Sequence, residues 1–190
     1  MSTVSIAMCT YNGAGYLLQQ LESLARQTRR PEEIIICDDA SNDGSVVVAQ
    51  TFAQKSGLNV RIHQNPSNLG YVKNFEKAIG LCTQDLIFLC DQDDLWHPQK
   101  IQKIVDVFDE EPHVGLVLHD FSWINEDNQP YPGPVDTYGP MQLSPIAGRN
   151  QEQLYPRLYG AVSPRVVWLH DGLPPLFQRH CVAHLSRQGP

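Results

Sequence analysis

Apolar residues along the first two thirds of the chain alternate between two spacings. Short, nearly continuous apolar runs are separated by longer stretches in which the apolar positions recur every three or four residues. Val4-Ser5-Ile6-Ala7-Met8 reads as a buried strand. From Gly15 to Gln27, residues Leu17, Leu18, Leu21, Leu24 and Ala25 fall at helical spacing. Pro31 ends that stretch, and Glu33-Ile34-Ile35-Ile36-Cys37 is a second strand. Ser45 to Lys55 reads as the next helix, closed by Gly57. A third strand covers Asn59 to His63, a helix Tyr71 to Cys82, and a fourth strand Asp85 to Cys90. Pro98 to Glu111 is helical, with Pro98 near its first turn, and Val114 to Leu118 is a fifth strand.

Alternating strands and helices imply an α/β fold: a mainly parallel, Rossmann-like sheet with helices on both faces. Strands buried on both sides carry such apolar runs. Ligands of open α/β sheets bind beyond the carboxyl ends of the strands. Polar clusters stand at three of those ends: Thr10-Tyr11-Asn12, Asp38-Asp39 and Asp91-Gln92-Asp93-Asp94.

The last third breaks the pattern. Residues 1–140 hold 19 of the 21 acidic residues, and residues 141–190 add only Glu152 and Asp171. The later stretch carries five arginines, no lysine and many prolines. The expected division is therefore 1–128 as the ligand-binding part and 129–190 as an atypical, partly irregular segment.

Charge narrows the chemistry. A formal net charge of −7 argues against a nucleic-acid partner, whose phosphates call for a basic face. No apolar run approaches the ~18–20 residues of a membrane helix. The N-terminus lacks a basic leader, which makes the cytoplasm the expected compartment. Five cysteines without a CxxC pair do not suggest a zinc cluster, and Cys9, Cys37 and Cys90 lie in or at the end of apolar runs as buried free thiols.

The acidic run after the fourth strand is the strongest chemical signal. Carboxylates packed so closely repel one another unless a cation joins them. Mg²⁺ or Mn²⁺ takes hard oxygen ligands and shares them with substrate phosphates. The spacing of Asp91 and Asp93 allows both to face one site; the bland alternative is a solvated acidic turn capping the following helix. Asp38-Asp39 suits hydrogen bonds to a base or ribose, or else caps the turn-rich Asp39-Ala40-Ser41-Asn42-Asp43-Gly44. Thr10, Tyr11 and Asn12 offer a hydroxyl, an aromatic face and amides, or a plain Asn-Gly turn. Lys73 and Asn74 open a helix after Gly70, where Lys73 meets a phosphate or merely solvent. Trp96, Trp123 and Tyr71 read as core or crevice lining. His119-Asp120 belongs to the crevice or caps the fifth strand, and His63, His97 and His113 are solvated or capping.

Together these segments resemble the family 2 glycosyltransferases of GT-A fold, especially rhamnosyltransferase-like enzymes of bacterial surface polysaccharides. The matching pieces are Val4 to Gly13, Glu33 to Ser41, Asn68-Leu69-Gly70 with Asn74, and Leu89 to Trp96 with Pro98 and Lys100-Ile101. Their order and spacing match together over about residues 3–128.

The resemblance implies a UDP- or dTDP-sugar donor, a saccharide or lipid-linked saccharide acceptor, and inverting transfer. Thr10, Tyr11, Asn12 and Asp39 fall at nucleoside-binding positions, and Asp38, Lys73, Asn74, Asp91 and Gln92 complete the expected donor set. Asp91-Gln92-Asp93 matches the Asp-x-Asp motif. Asp93 would be the direct ligand of Mg²⁺ or Mn²⁺, and Asp91 would lie nearer the ribose or a metal-bound water. Acidic side chains from separate strand tips would converge on the cation and its diphosphate. A lipid-linked acceptor would bring peripheral contact with the inner membrane face.

The tail departs from the family. Where a Gly-Phe/Cys-Thr-Met-Ala-Phe-Arg-Arg-like stretch is expected stands Trp168-Leu169-His170-Asp171-Gly172-Leu173-Pro174-Pro175. Codons for these residues, read one nucleotide later, allow Gly-Phe-Thr-Met-Ala-Phe-Arg-Arg. The tail, from somewhere between about Gly148 and Trp168, is thus expected to be out of the native frame. His170 and Asp171 look like the family's His-Asp base, a likeness the frame argument assigns to coincidence, so the base stays unassigned. The alternative is a non-catalytic, nucleotide-sugar-binding remnant. A phosphoacceptor receiver domain fits poorly, because the acidic pair follows the second strand and no lysine ends the fifth.

Overall fold

The computed structural model describes residues 1–111, 115–119, 124, 125, 128 and 129, and the backbone of residues 165–169. Its elements follow in the order β1 (Val4–Thr10), α1 (Ala14–Ala25), β2 (Glu33–Asp38), α2 (Ser45–Ser56), β3 (Val60–Gln64), α3 (Tyr71–Leu81), β4 (Leu86–Cys90), α4 (Lys100–Glu110), β5 (Leu116–His119) and β6 (Arg165–Leu169). The expected strand–helix alternation is present through β5, with boundaries moved by one or two residues. Gly57, expected to close α2, does so at φ +65°, where a side chain would be strained.

The strands form one sheet in the order β3-β2-β1-β4-β6-β5, with parallel pairing throughout. β6 lies in the segment expected to be irregular, and its backbone pairs with both β4 and β5. In sequence this is only a short apolar run, Val166 to Leu169, between Ser163-Pro164 and Asp171-Gly172.

Alternation within β1 separates two hydrophobic layers. Val4, Ile6 and Met8 pack with Leu17, Leu21 and Leu24 of α1, Ala49 and Phe52 of α2, and Ile101, Ile104, Val105 and Phe108 of α4. Ala7 and Cys9 join Ile35, Cys37, Ile87 and Leu89 on the other face, under Phe75, Ala78 and Ile79 of α3. Each fully buried Ile, Leu or Phe contributes about 1.5–3 kcal/mol relative to exposure. That burial keeps strands from slipping, because a one-residue shift would turn every core residue to the opposite layer.

Register then places the chemistry. Thr10 lies opposite Asp38, and Met8 opposite Cys90. Residues after Thr10, Asp38 and Cys90 therefore leave the sheet at the same edge. The chain passes from β1 to β2 and β3 on one side, then to β4 on the other side of β1. In doubly wound sheets such a reversal, here between β1 and β4, marks the crevice beyond the strand ends where ligands bind.

Candidate functional site

The acidic loop after β4 is held by a polar stripe on α1 and the turn that follows it. Gln20, Ser23 and Gln27 recur at three- and four-residue spacing and are buried. Ser23 Oγ accepts from Trp96 N at 3.1 Å. Gln27 Nε2 donates to His97 O at 2.9 Å, and its Oε1 accepts from Ile101 N at 3.1 Å. Gln20, with its amide in the orientation that satisfies both ends, donates to Asp94 O and to Ser23 Oγ and accepts from Trp96 Nε1 at 3.2 Å. Trp96 is buried against Phe88, as expected for core lining. Asp94 O, Trp96 N, His97 O and Ile101 N thus find partners on α1 and Gln27. The periodic leucines drew attention away from these polar neighbours; their only sequence signal is their shared spacing.

Asp91 is half-buried and Asp93 is exposed. Lys100 Nζ lies 3.7 Å from the centroid of the Trp96 ring. Burial lowers its pKa to about 8, opposed by the neighbouring Cys90 thiol and the Asp94 and Asp91 carboxylates. Cys9, near the end of β1, is pushed upward by burial and then by the neighbouring Cys37 thiol and the Asp91 and Asp39 carboxylates. Asp91 and Asp39 thus act on the same strand end from its two sides. They do not form a cage: among the described residues, no three His, Cys, Asp or Glu side chains are grouped to hold a metal. Mg²⁺ and Mn²⁺ need no such cage, because they commonly keep waters or take phosphate oxygens beside one or two carboxylates.

Asp39 is turned into the chain. Its Oδ1 accepts from Asn65 Nδ2 at 2.7 Å and Leu69 N at 2.8 Å, and its Oδ2 accepts from Gly70 N at 2.9 Å. Gly70 sits at φ +82°, ψ 158°, a region open essentially only to glycine. Asn65 Nδ2 also donates to Asn74 Oδ1 at 2.9 Å, Asn74 Nδ2 to Cys37 O at 2.8 Å, and Lys77 Nζ to Asn65 Oδ1 at 2.6 Å. Asn74 therefore uses both ends of its amide within the protein. Asn65 was invisible in the sequence, where it precedes Pro66 in an ordinary loop.

Asp38 closes its own turn. It accepts from Thr10 Oγ1 at 2.9 Å, from Ser41 Oγ at 2.5 Å and from Ser41 N at 2.9 Å. Asp38 is thus the capping member of the pair, while Asp39 is bonded to Asn65, Leu69 and Gly70. Asn12, at φ +47°, exchanges bonds with the β2–α2 loop: its N donates to Ser41 Oγ and its Oδ1 accepts from Asn42 N. Lys73 is exposed and paired with Glu76 at 2.5 Å. Tyr71 is half-exposed and meets Phe75 edge-on. His97 is exposed before α4, and its Nδ1 accepts from Gln99 N at 3.2 Å. Tyr11 is 50% exposed at the mouth of the crevice.

Gln92 reaches across that crevice. Its Oε1 accepts from Tyr11 N at 2.9 Å, and its Nε2 donates to Tyr11 O at 3.1 Å. The side chain expected to touch a donor instead grips the backbone of the neighbouring strand tip. His113, Asp120, Trp123, His170 and Asp171 lie outside the described residues.

The chain is similar to known proteins. An uncharacterized glycosyltransferase of Nostoc sp. is 32% identical over 61% of the chain, which spans 36% of that relative. The chain thus spans little more than a third of that curated relative's length. TarS of Staphylococcus aureus, solved with UDP, superposes with a TM-score of 0.57 at 25% identity, over 63% of this chain and 36% of TarS. A mannosyltransferase of Pyrobaculum calidifontis, solved with GDP-Man and Mn²⁺, gives the same score at 22% identity, over 62% of this chain and 35% of the other, a likeness of fold. The sequence profile of Glycosyl transferase family 2 matches residues 5–160. With most of its length inside that match, the chain belongs to Glycosyl transferase family 2.

Proposed function

We propose that the region up to about residue 128 is the donor-nucleotide-binding part of a metal-assisted, inverting glycosyltransferase. It takes a hexosyl or rhamnosyl group from a UDP- or dTDP-sugar and delivers it to a saccharide or lipid-linked saccharide. The observation that carries this reading is the acidic loop Asp91–Asp94, held beside Tyr11 where strand order reverses between β1 and β4. Support also comes from the nucleotide partners of two proteins of like fold, UDP for TarS and GDP-Man with Mn²⁺ for the mannosyltransferase.

In this reading Tyr11 offers its exposed ring to the base, with Thr10 and Asn12 holding the loop around it. Asp39, with one bond on Oδ2, keeps capacity there for a nucleoside donor group. Asp38 and Asn74 act by fixing the loops, and Lys73 supplies a positive charge near the diphosphate. Asp91 and Asp93 would hold Mg²⁺ or Mn²⁺. Such an ion, when bound, would supply positive charge to offset that of the departing diphosphate. The acceptor oxygen attacks the anomeric carbon, the bond from that carbon to the diphosphate oxygen breaks, and the hydroxyl proton passes to a base. No described residue is assigned as that base; His170 and Asp171 are the remaining candidates.

Among the described residues, no helix is long and apolar enough to cross a membrane. In the same reading a lipid-linked acceptor is met at the inner membrane face by peripheral contact.

The tail favours a second reading. Trp168 to Pro175 departs from the family, so the chain would bind donor without turning it over. Resequencing the gene through the Trp168 codon tests the frame. Calorimetry with UDP, dTDP and GDP, with and without Mn²⁺, tests the site, and sugar release from the bound donor separates enzyme from remnant. Metal-dependent binding of UDP or dTDP is expected; no binding of any nucleotide under any metal condition would end the proposal.

A further inference from the structure

We propose that Gln92 is a positioning residue for Tyr11, which locks the β1–α1 loop to the acidic loop and presents the Tyr11 ring to the nucleobase. The inference rests on the donor-site reading above and replaces the direct donor contact expected of Gln92. Three observations carry it. First, both ends of the Gln92 amide are engaged by one residue, the N–H and the C=O of Tyr11. This is the pairing a neighbouring strand would make, supplied by a side chain beyond the ends of β1 and β4. Second, a methyl group added to Gly13 would overlap the Gln92 amide. The lack of a side chain there leaves the space the amide fills. Third, the opposite side of the same loop is fixed by Ser41, Ser45 and Asp43, which bond to the N–H groups of Asn12, Gly13 and Ala14. Tyr11 itself depends on Gln92.

Gln92 stands between Asp91 and Asp93, so the lock joins the base-facing loop to the metal-facing loop. An aromatic platform held in place before the ligand arrives does not lose its freedom on binding. Loosening it weakens binding although no ligand contact is removed.

The test is a double-mutant cycle in the full chain, read by calorimetry with UDP and Mn²⁺ and by amide hydrogen exchange without ligand. Gln92→Ala is expected to weaken UDP binding roughly five- to twentyfold and to speed exchange at the Tyr11 amide. Gly13→Ala, which displaces the Gln92 amide without touching its chemistry, is expected to do the same. In a Tyr11→Ala background, Gln92→Ala should cost nothing further. An undiminished cost in that background would show that Gln92 touches the donor directly and would overturn the proposal. Unchanged Tyr11 exchange in Gln92→Ala would overturn it too. If the unsubstituted chain binds no UDP, the donor-site reading fails and the role given to Gln92 falls with it, while exchange alone still reports whether the lock exists.

Discussion

Asp39→Asn separates a carboxylate that holds the fold from one kept only for a ligand. Asp39 is 3% exposed and accepts three hydrogen bonds from the β3–α3 region. Asparagine keeps one oxygen, which can serve Asn65 and Leu69, but turns an amide NH₂ toward Gly70 N–H. A hydrogen bond to a charged group is worth about 1.5–3 kcal/mol, and an unpaired buried donor costs about 1–3 kcal/mol. Gly70 N also donates to Asn68 Oδ1 at 2.9 Å, so its loss is partial, and the lower part of the sum applies. The expected destabilisation is about 2–3 kcal/mol, a sizeable part of a domain's ~5–15 kcal/mol. It corresponds to a melting temperature lower by roughly 4–12 °C. Urea unfolding of the ligand-free protein, followed by far-ultraviolet circular dichroism, reads it directly. A change below about 0.5 kcal/mol, the ordinary range for surface substitutions, would refute the reasoning and leave Asp39 as a group held only for a ligand.

Gln27→Leu removes two bonds that fix the His97–Ile101 segment and strands two backbone groups; about 2–4 kcal/mol of stability should be lost in the same assay. Glu33 is buried, which raises its pKa, but bonds from Ser5, Thr83 and Arg61 outweigh burial and hold it below the ordinary value. A lowered folded-state pKa gives stability that is present above the ordinary value of 4.5 and lost as pH falls below it. Glu33→Gln should therefore flatten the acid limb of the stability–pH curve, and an unchanged limb would count against it. Burial pushes the Cys37 thiol up to about 11, and Cys9 and Cys90 are also buried and raised. Ellman's reagent at pH 8 should label none of these three until urea unfolds the chain; rapid labelling of the native protein would contradict their burial.

Much of the fold was legible because a parallel sheet demands apolar runs. Ile34-Ile35-Ile36 and Leu86 to Cys90 are buried on both faces, and their composition says so. Gly57 marked a helix end for the same local reason that it occurs there. The site was legible only as positions. Asp38 and Asp39 are adjacent and alike in sequence, yet one closes its own turn and the other pins a loop 30 residues away. That difference depends on Asn65 and Gly70, which no local pattern ties to Asp39. Gln92 and Tyr11 are 81 residues apart, and only the sheet order brings them together. β6 escaped because a short apolar run in a proline-rich stretch has no period of its own to distinguish strand from loop.

Paramagnetic resonance of Mn²⁺ tests the central claim most directly. The free-ion signal should persist when the protein is added alone, since two carboxylates make an incomplete cage. It should collapse when UDP joins protein and metal, beyond the loss UDP alone produces. In the Asp91→Asn, Asp93→Asn double variant the extra loss should vanish while the fold is kept. An undiminished ternary signal loss in that variant would place the cation elsewhere and contradict the account.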